Sequence, residues 1–497
     1  MKKVAVVGTG AAGLGVLSSL ITKKDIEIVV FEIGKPLEKQ IVNLKTKKEI
    51  SNFYSSIYQK IRKTQKLKFP PPKTNFANTL PKYKVDGKEK IFKSENFGGL
   101  TNFWGGTALP FTENEFKNWH ISYDEMKPYY EKIAQITGIS GAKDELNSYF
   151  KEDFVNKPPI KITSAFQKLN SIIKNTSTLE NYTVFSGVNR CMIETRESEK
   201  RTCVACGECL AGCFKDSIYC SFHTLEEYLK HENVTTIKAK VSKVDEKGTV
   251  EAILDGKMTQ FLGFDMIYLA AGCPNTTEIV MRSTGIHQVE PMQDNAVYVF
   301  PIFNFNFDAI KNYNEDYLSI NNLIVGLIPK NETDKFAQAL VYNNFDYMWR
   351  YNIPNGLWRL ISWKFKLLRN KIFWARLYVH GNYSQAYNIE LKNNELNFSN
   401  AQNADKKVIQ GMMKSLRKAL NKKGFWIPPI SPLLQKSNSH YSSTLPYNGT
   451  KINIDEKSQV MDNVFVCDSS VFPELPAVSL TFTIMANAAR IADKSFD

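Results

Sequence analysis

Long hydrophobic runs are missing from this sequence. No stretch reaches eighteen apolar residues without a charge or a polar break, which excludes a membrane-spanning helix. No internal repeat is visible. Acidic side chains are outnumbered, 50 against 64 Lys and Arg, for a formal charge of +14. The excess is mostly Lys in a Lys-, Asn- and Ile-rich chain, so it is read as solvated surface and no nucleic-acid partner is expected. Histidine is scarce, with six residues, which leaves few positions for a neutral-pH base. What remains is an ordinary globular composition, 43% hydrophobic and 12% aromatic, over 497 residues, enough for two or more domains.

Cysteines are few but crowded, with five of eight between Cys203 and Cys220. In a reducing compartment that crowding points to metal or cluster ligation before disulfides. The basic, apolar start of the chain resembles a signal peptide. However, Gly8, Gly10 and Gly13 stand where a nucleotide-binding turn needs them, so the run is expected to be retained in a cytoplasmic protein.

The apolar run Lys3-Val4-Ala5-Val6-Val7 leads into Gly8-Thr9-Gly10-Ala11-Ala12-Gly13, then an apolar helical pattern to Leu20, then Ile26–Glu32. That is a strand, turn, helix and strand of dinucleotide-binding type. The glycines allow the tight turn, the backbone's approach to a pyrophosphate and close helix–strand packing, while the helix N-terminus supplies donors for the phosphates. Glu32 at the end of the second strand suits a ribose hydroxyl and argues against a 2′-phosphate. Residues 35–95, with the Pro70-Pro71-Pro72 break, read as an excursion without identifiable chemistry. Core signals return at Asp265–Gly272, a strand ending in small residues, and at Val464–Asp468 with the amphipathic run Thr483–Ala492. Alternation over 296–307 predicts antiparallel strands.

Four segments carry a family resemblance: the fingerprint at 8–13, Gly98-Gly99-Leu100-Thr101-Asn102-Phe103-Trp104-Gly105-Gly106, Ala270-Ala271-Gly272-Cys273-Pro274-Asn275-Thr276, and Asn463–Asp493. In order and spacing they resemble the glucose-methanol-choline oxidoreductases, nearest the pyranose oxidase and glucoside 3-dehydrogenase branch. The resemblance implies an α/β fold. A Rossmann-type FAD-binding domain would be assembled from 1–114, 201–291 and 441–497, and a substrate-binding domain with an antiparallel sheet and helices from 115–200 and 292–440. It places Gly98, Gly99, Asn102 and Gly106 along the flavin and Asp468 at the ribityl or pyrophosphate region. Gly8, Gly10, Ala12, Gly13, Glu32, Val241, Ala271, Gly272 and Ser469 complete the expected cofactor contacts. Some relatives attach the flavin through a His in the second motif; Phe103 and its neighbours offer none, so FAD is expected to be noncovalent.

Hydride removal from an alcohol leaves a proton on oxygen, which a base must accept. His440, in Ser439-His440-Tyr441-Ser442-Ser443-Thr444, stands where the family carries its catalytic His. Ser479 stands where relatives present a second His or Asn. Its hydroxyl donates or accepts but is no base, and Tyr441 or Asn448 are the alternative sources of that contact. His120, His223, His231, His287 and His380 sit in no comparable motif.

Cys203, Cys206, Cys209 and Cys213 have the C-x2-C-x2-C-x3-C spacing of bacterial ferredoxins. Two departures stand against it. Phe214 replaces the usual Pro, and the fourth Cys of that pattern ligates a second cluster, so a single 4Fe–4S or 3Fe–4S cluster here would call on Cys191 or Cys220. Zinc and inert thiols are the alternatives. A cluster would export electrons to an external acceptor, an electron-transfer protein or a quinone.

The expected activity is therefore FAD-dependent oxidation of a CH–OH group, preferably on a sugar or glycan. An oxygen-using oxidase and a non-catalytic flavin subunit are the alternatives. Finally, 346–376 holds Trp349, Trp358, Trp363 and Trp374 among seven Lys or Arg with Asp346 as its one acid. This is the pattern either of a helix in a membrane interface or of an amphipathic helix packed on the substrate domain, and peripheral contact with the inner face of the cytoplasmic membrane is the expectation that follows from the first.

Overall fold

The computed structural model describes the chain outside residues 35–41, 65–81, 152–153, 175–178, 180, 198, 307–310, 313, 334, 345–352, 422, 436–438, 448 and 497. Pro70–Pro72, Trp349 and Asn448 therefore lie outside the described residues.

The apolar run at the N-terminus becomes the strand Lys2–Val7, with Val4, Ala5 and Val6 fully buried. It is central in a six-stranded sheet, between Met266–Leu269 and Ile26–Phe31. Val464–Val466 lies beyond the first of these and Val234–Ile237 beyond the second, all parallel. Strands buried on both faces read as continuous Val/Ile runs because neither side meets water. The helix Ala11–Leu20 packs on the C-terminal helix Thr481–Lys494. A Cβ on Gly15 would lie 2.2 Å from the Met485 carbonyl, so that contact admits only glycine. The helix Tyr123–Thr137, within the stretch assigned to the substrate side, packs on this same C-terminal helix through Tyr130 against Phe482.

The alternation at 296–307 becomes the strand Val297–Asn304 of an antiparallel sheet with the order 425–426, 297–304, 372–378, 337–343, 321–329, 182–188; the short strand Leu433–Leu434 also pairs with 297–304. One face of this sheet, with Leu323, Val325, Val341 and Leu377, forms a separate core with helices Ser164–Lys174 and Lys406–Leu420. In the latter helix Ile409, Met412, Met413 and Leu416 recur at helical spacing. The other face, with Val297, Ile324, Leu340, Tyr342 and Tyr378, joins the core of the dinucleotide half. A third sheet, from 441–442 through 292–294 and 385–402 to 82–92, spans both halves.

The 35–95 excursion has a structural task. Its helix Lys47–Thr64 buries Tyr54 and Tyr58, whose hydroxyls donate to the Gly212 carbonyl and the Glu208 carboxylate at 2.5 Å each, gripping the cysteine-rich turn.

Candidate active site

The glycine-rich turn is built for something other than itself. Gly8 has φ +101°, and a Cβ there would lie 2.7 Å from the Ala270 carbonyl; one on Gly13 would lie 2.1 Å from the Gly8 carbonyl. Strand, turn and helix thus approach more closely than any side chain permits. The helix begins at Gly10 with no side-chain cap, and a Cβ on Gly10 would meet nothing within 4 Å. Open space before uncapped N–H groups is what a pyrophosphate requires. Ala12 and Gly13 are buried in the first turn behind it.

Glu32 is buried beside this turn, and its carboxylate accepts the Thr9 N–H at 3.0 Å, the Thr9 hydroxyl, and the Gly34 N–H at 2.6 Å. Burial raises its pKa while these hydrogen bonds oppose the rise. Thr9 also accepts the Gly98 N–H at 3.0 Å, and the Ser221 hydroxyl donates to the Thr9 carbonyl at 2.9 Å. Thr9 and Ser221, which the motif reading passed over, therefore join the first and second motifs.

In the second motif Gly98, Gly99 and Gly106 all have positive φ, of 85°, 57° and 78°. The buried Asn102 fixes the turn by donating its amide to the carbonyls of Phe97 at 2.8 Å and Gly99 at 3.0 Å. A Cβ on Gly99 would come 3.2 Å from the Gly10 Cα, so the two glycine segments face each other directly.

Asp468, expected at the ribityl or pyrophosphate region, lies beside Gly272 with its carboxylate engaged by protein. It accepts from the Gly272 N–H (2.9 Å), the Thr276 hydroxyl (2.5 Å), and the Ser470 N–H (3.0 Å) and hydroxyl (2.5 Å). It therefore positions the Ala271–Gly272 turn, where a Cβ on Gly272 would again meet open space. Ser469 donates to the Tyr441 carbonyl at 2.6 Å, and backbone bonds from Ser443 to Ser469 and from Leu445 to Ser470 lay the His440 segment alongside this one. Val241 is buried on the strand Lys240–Val244 of a separate three-stranded sheet.

His440 is partly buried and stacked on Tyr378, with ring centroids 5.3 Å apart. Its Nδ1 lies 2.9 Å from Asn295 Oδ1, and the Asn295 amide donates to the carbonyls of Val379 (2.9 Å) and Pro476 (3.1 Å). Because the amide nitrogen must face two carbonyls, Oδ1 is the atom turned to the imidazole. Nδ1 then carries the proton and Nε2 keeps its lone pair. Burial, then the nearby Arg376 guanidinium, pushes the ring's pKa down to about 4, so it is neutral at physiological pH. Asn295 also ties His440 to the Pro476–Ser479 segment, whose Ala477 carbonyl accepts from Gln338 at 2.7 Å. Ser479 is buried there. The Tyr441 hydroxyl accepts the Phe92 N–H at 2.9 Å and is committed to the adjacent sheet. Among the other histidines, His223 pairs with Asp216 and His380 with Glu474, while His120, His231 and His287 are exposed.

All eight cysteines are free thiols. Burial raises the pKa of Cys203, Cys206 and Cys209, with Cys209 and Cys213 adding to the rise, so these thiols share one partly enclosed nest. Cys191 belongs to it as well: burial pushes its thiol up to about 12, and Cys209 adds to the shift. Among the described residues the only three ligand atoms converging within 4.8 Å are those of Asp216, Cys220 and His223. The backbone of Cys191 bridges to Thr107, and Met192 donates to the Gly106 carbonyl at 2.7 Å, so the nest adjoins the second glycine motif.

No protein-family model and no curated protein sequence matches the chain. Solved structures match along its whole length. Pyridoxine 4-oxidase from Mesorbium loti is 12% identical with a TM-score of 0.62, covering 100% of this chain and 99% of that one. Formate oxidase from Aspergillus oryzae RIB40, in its R554A form, is 13% identical with a TM-score of 0.61, covering 99% and 98%. An FAD-dependent oxidoreductase from Chaetomium thermophilum is 14% identical with a TM-score of 0.59, also covering 99% and 98%. At this identity the likeness establishes the fold, and the α/β architecture expected from the glucose-methanol-choline resemblance is the one observed.

Proposed function

We propose that the chain is an FAD-dependent oxidoreductase acting on the CH–OH group of donors, a sugar or glycan hydroxyl by preference, with His440 as the base. The observation that carries this reading is the fixed tautomer of His440: protonated at Nδ1 by its bond to Asn295, it offers Nε2 to a substrate hydroxyl. The residues present suit FAD. The uncapped turn at Gly8–Gly13 would hold the pyrophosphate, Glu32 the ribose, and Gly98–Gly106 with Gly272 the flavin half. Bound FAD supplies the acceptor for the hydride that leaves the carbinol carbon. His440 takes the hydroxyl proton at Nε2, and the Ser479 hydroxyl orients the same oxygen.

A polar substrate is supported by the sheet face turned toward the dinucleotide half. There Gln338 Oε1 and Asn321 Nδ2 are buried without a hydrogen-bond partner, an arrangement that a hydroxylated ligand would satisfy. Cys203, Cys206, Cys209 and Cys213, with Cys191 beside them, would hold a 4Fe–4S or 3Fe–4S cluster. Such a cluster supplies one-electron transfer to an external acceptor, an electron-transfer protein or a quinone, and this favours a dehydrogenase.

An oxygen-using oxidase is the second reading, favoured by the names of two of the similar structures. An anaerobic absorbance spectrum of the purified protein, with iron and acid-labile sulfide assayed on the same sample and peroxide measured under air, separates the two. Flavin with iron and sulfide and no peroxide supports the dehydrogenase. Flavin alone with peroxide supports the oxidase, and no flavin overturns both.

A further inference from the structure

The helix Asn355–Leu368 has two unlike sides. Inward, Trp358 is 7% exposed and stacks on Phe365. Outward, Leu357, Leu360 and Trp363 are 48%, 72% and 57% exposed. At about 100° per residue these three form one stripe along the helix. Arg359, Lys364 and Lys366 are exposed beside it, and the Lys364 ammonium lies 5.6 Å from the Trp363 ring centroid.

Further apolar side chains are exposed where the chain leaves the helix. The Lys371 carbonyl accepts the Asn304 N–H at 2.8 Å, and Phe305 N–H donates to Gly424 at 2.7 Å. One step away the rings of Phe303 and Trp426 lie 5.5 Å apart. Phe305 is 65% exposed. From Trp426 the chain runs along the outer edge of the strand 297–304 and exposes Ile430 and Leu433, at 58% and 72%. Single exposed apolar residues are ordinary, but a rim of them drawn from three segments is not.

Charge supplies the second observation. Between Asp346 and Glu390 there is no acidic residue, and between Asp405 and Asp455 there is none either, although both stretches are rich in Lys and Arg. The helix and the 426–434 edge are drawn from these two stretches, so these two parts of the rim combine apolar side chains with cations and contribute no carboxylate.

We infer that this rim docks on an anionic lipid surface, with the helix 355–368 lying in the interface plane. Leu357, Leu360 and Trp363 would sit at the headgroup boundary, with Arg359, Lys364 and Lys366 against lipid phosphates. No helix among the described residues is long and apolar enough to cross a membrane, which agrees with attachment from one side. The strand Ile372–Tyr378 runs from the helix end of this rim to the residue stacked on His440, roughly 20 Å away at about 3.3 Å per residue. The docking does not depend on the redox reading.

The test is flotation of the full chain with vesicles of phosphatidylcholine alone or mixed equally with phosphatidylglycerol. The protein is expected to float with the mixed vesicles, to stay behind with phosphatidylcholine alone, and to be released by raised salt. Leu360→Ser with Trp363→Ser should cut the bound fraction about tenfold, and Arg359→Glu with Lys366→Glu should do the same, with absorbance spectrum and Tm unchanged in both. Absence of binding to the mixed vesicles, equal binding by either double variant, or capture of a second copy of the chain through this rim instead of lipid would each overturn the inference.

Discussion

The Nδ1 of His440 and the Oδ1 of Asn295 lie 2.9 Å apart, and the same Asn295 amide bonds the carbonyls of Val379 and Pro476. One side chain therefore fixes the tautomer of the imidazole and ties it to the segment bearing Ser479. Asn295→Leu keeps the branched shape and removes all three bonds, so the ring loses its orientation. Anaerobic flavin reduction by substrate should slow about 10- to 100-fold with flavin content unchanged, by analogy with the loss when the partner that orients a metal-ligating imidazole is removed. His440→Ala should slow it further. A rate unaltered in His440→Ala would take the residue out of the mechanism.

The depressed pKa of His440 gives a pH signature. An ordinary imidazole near 6.5 would lose its basic form below neutrality, whereas this ring, held down to about 4 by burial and then by Arg376, stays neutral well into acid. The rate of flavin reduction should therefore be flat as pH falls through 6.5 and decline only near 4. The linkage has the same sign. The unfolded chain takes up the proton first, so the stability associated with the neutral ring is fully present above about 6.5 and is lost as pH falls through about 4. In His440→Gln, Tm should vary less over that window. A kinetic pKa near 6.5 would mean that the ring is solvated.

The parts of this molecule legible in its sequence are those where backbone geometry forces composition. Gly8, Gly13 and Gly98 had to be glycine because a carbonyl or a left-handed turn occupies the place of a side chain, and the run Lys3–Val7 had to be apolar because it is a central strand. The alternation at 296–307 was readable because Tyr298, Phe300 and Ile302 face one core while Val299, Pro301 and Phe303 on the other side are only half-buried. Asn295, Ser221, Gln338 and Asn321 were not legible. Each acts through partners far away in sequence, and an isolated Asn or Ser in a strand or loop carries no period. Tyr54 and Tyr58 were not legible either, because a Lys-rich, polar helix gives no sign that two of its residues reach Gly212 and Glu208.

Six of the eight cysteines divide into two groups with different expected behaviour. Cys203, Cys206, Cys209 and Cys213 share a nest with Cys191, whereas Cys220 lies with Asp216 and His223. If the nest holds a cluster, Cys206→Ser and Cys213→Ser should each strip most iron and sulfide from the purified protein, and Cys220→Ser should leave both in place. Iron and sulfide retained in Cys206→Ser and Cys213→Ser would make the nest the wrong site, and loss in Cys220→Ser as well would add that thiol to the ligands.

Gln338 offers a test of the substrate class. Its amide donates to the Ala477 carbonyl while its own buried carbonyl oxygen has no partner. An unpaired buried acceptor costs about 1–3 kcal/mol, and a hydrogen bond such as the one to Ala477 contributes about 1 kcal/mol. Gln338→Met removes the unpaired acceptor but leaves the buried Ala477 carbonyl without this donor, so the two changes nearly offset and Tm should barely move. Catalysis should not be so forgiving. If a second substrate hydroxyl donates to that oxygen, its loss should lower kcat/KM for a sugar by about five- to thirtyfold, mostly through KM, the size of one such bond at about 1–2 kcal/mol. A simple monohydric alcohol, having no second hydroxyl to offer, should be oxidised equally well by both proteins. An equal loss for the sugar and the monohydric alcohol would assign Gln338 to holding the Ala477–Ser479 segment and leave the preference for a polyhydroxylated donor without this support.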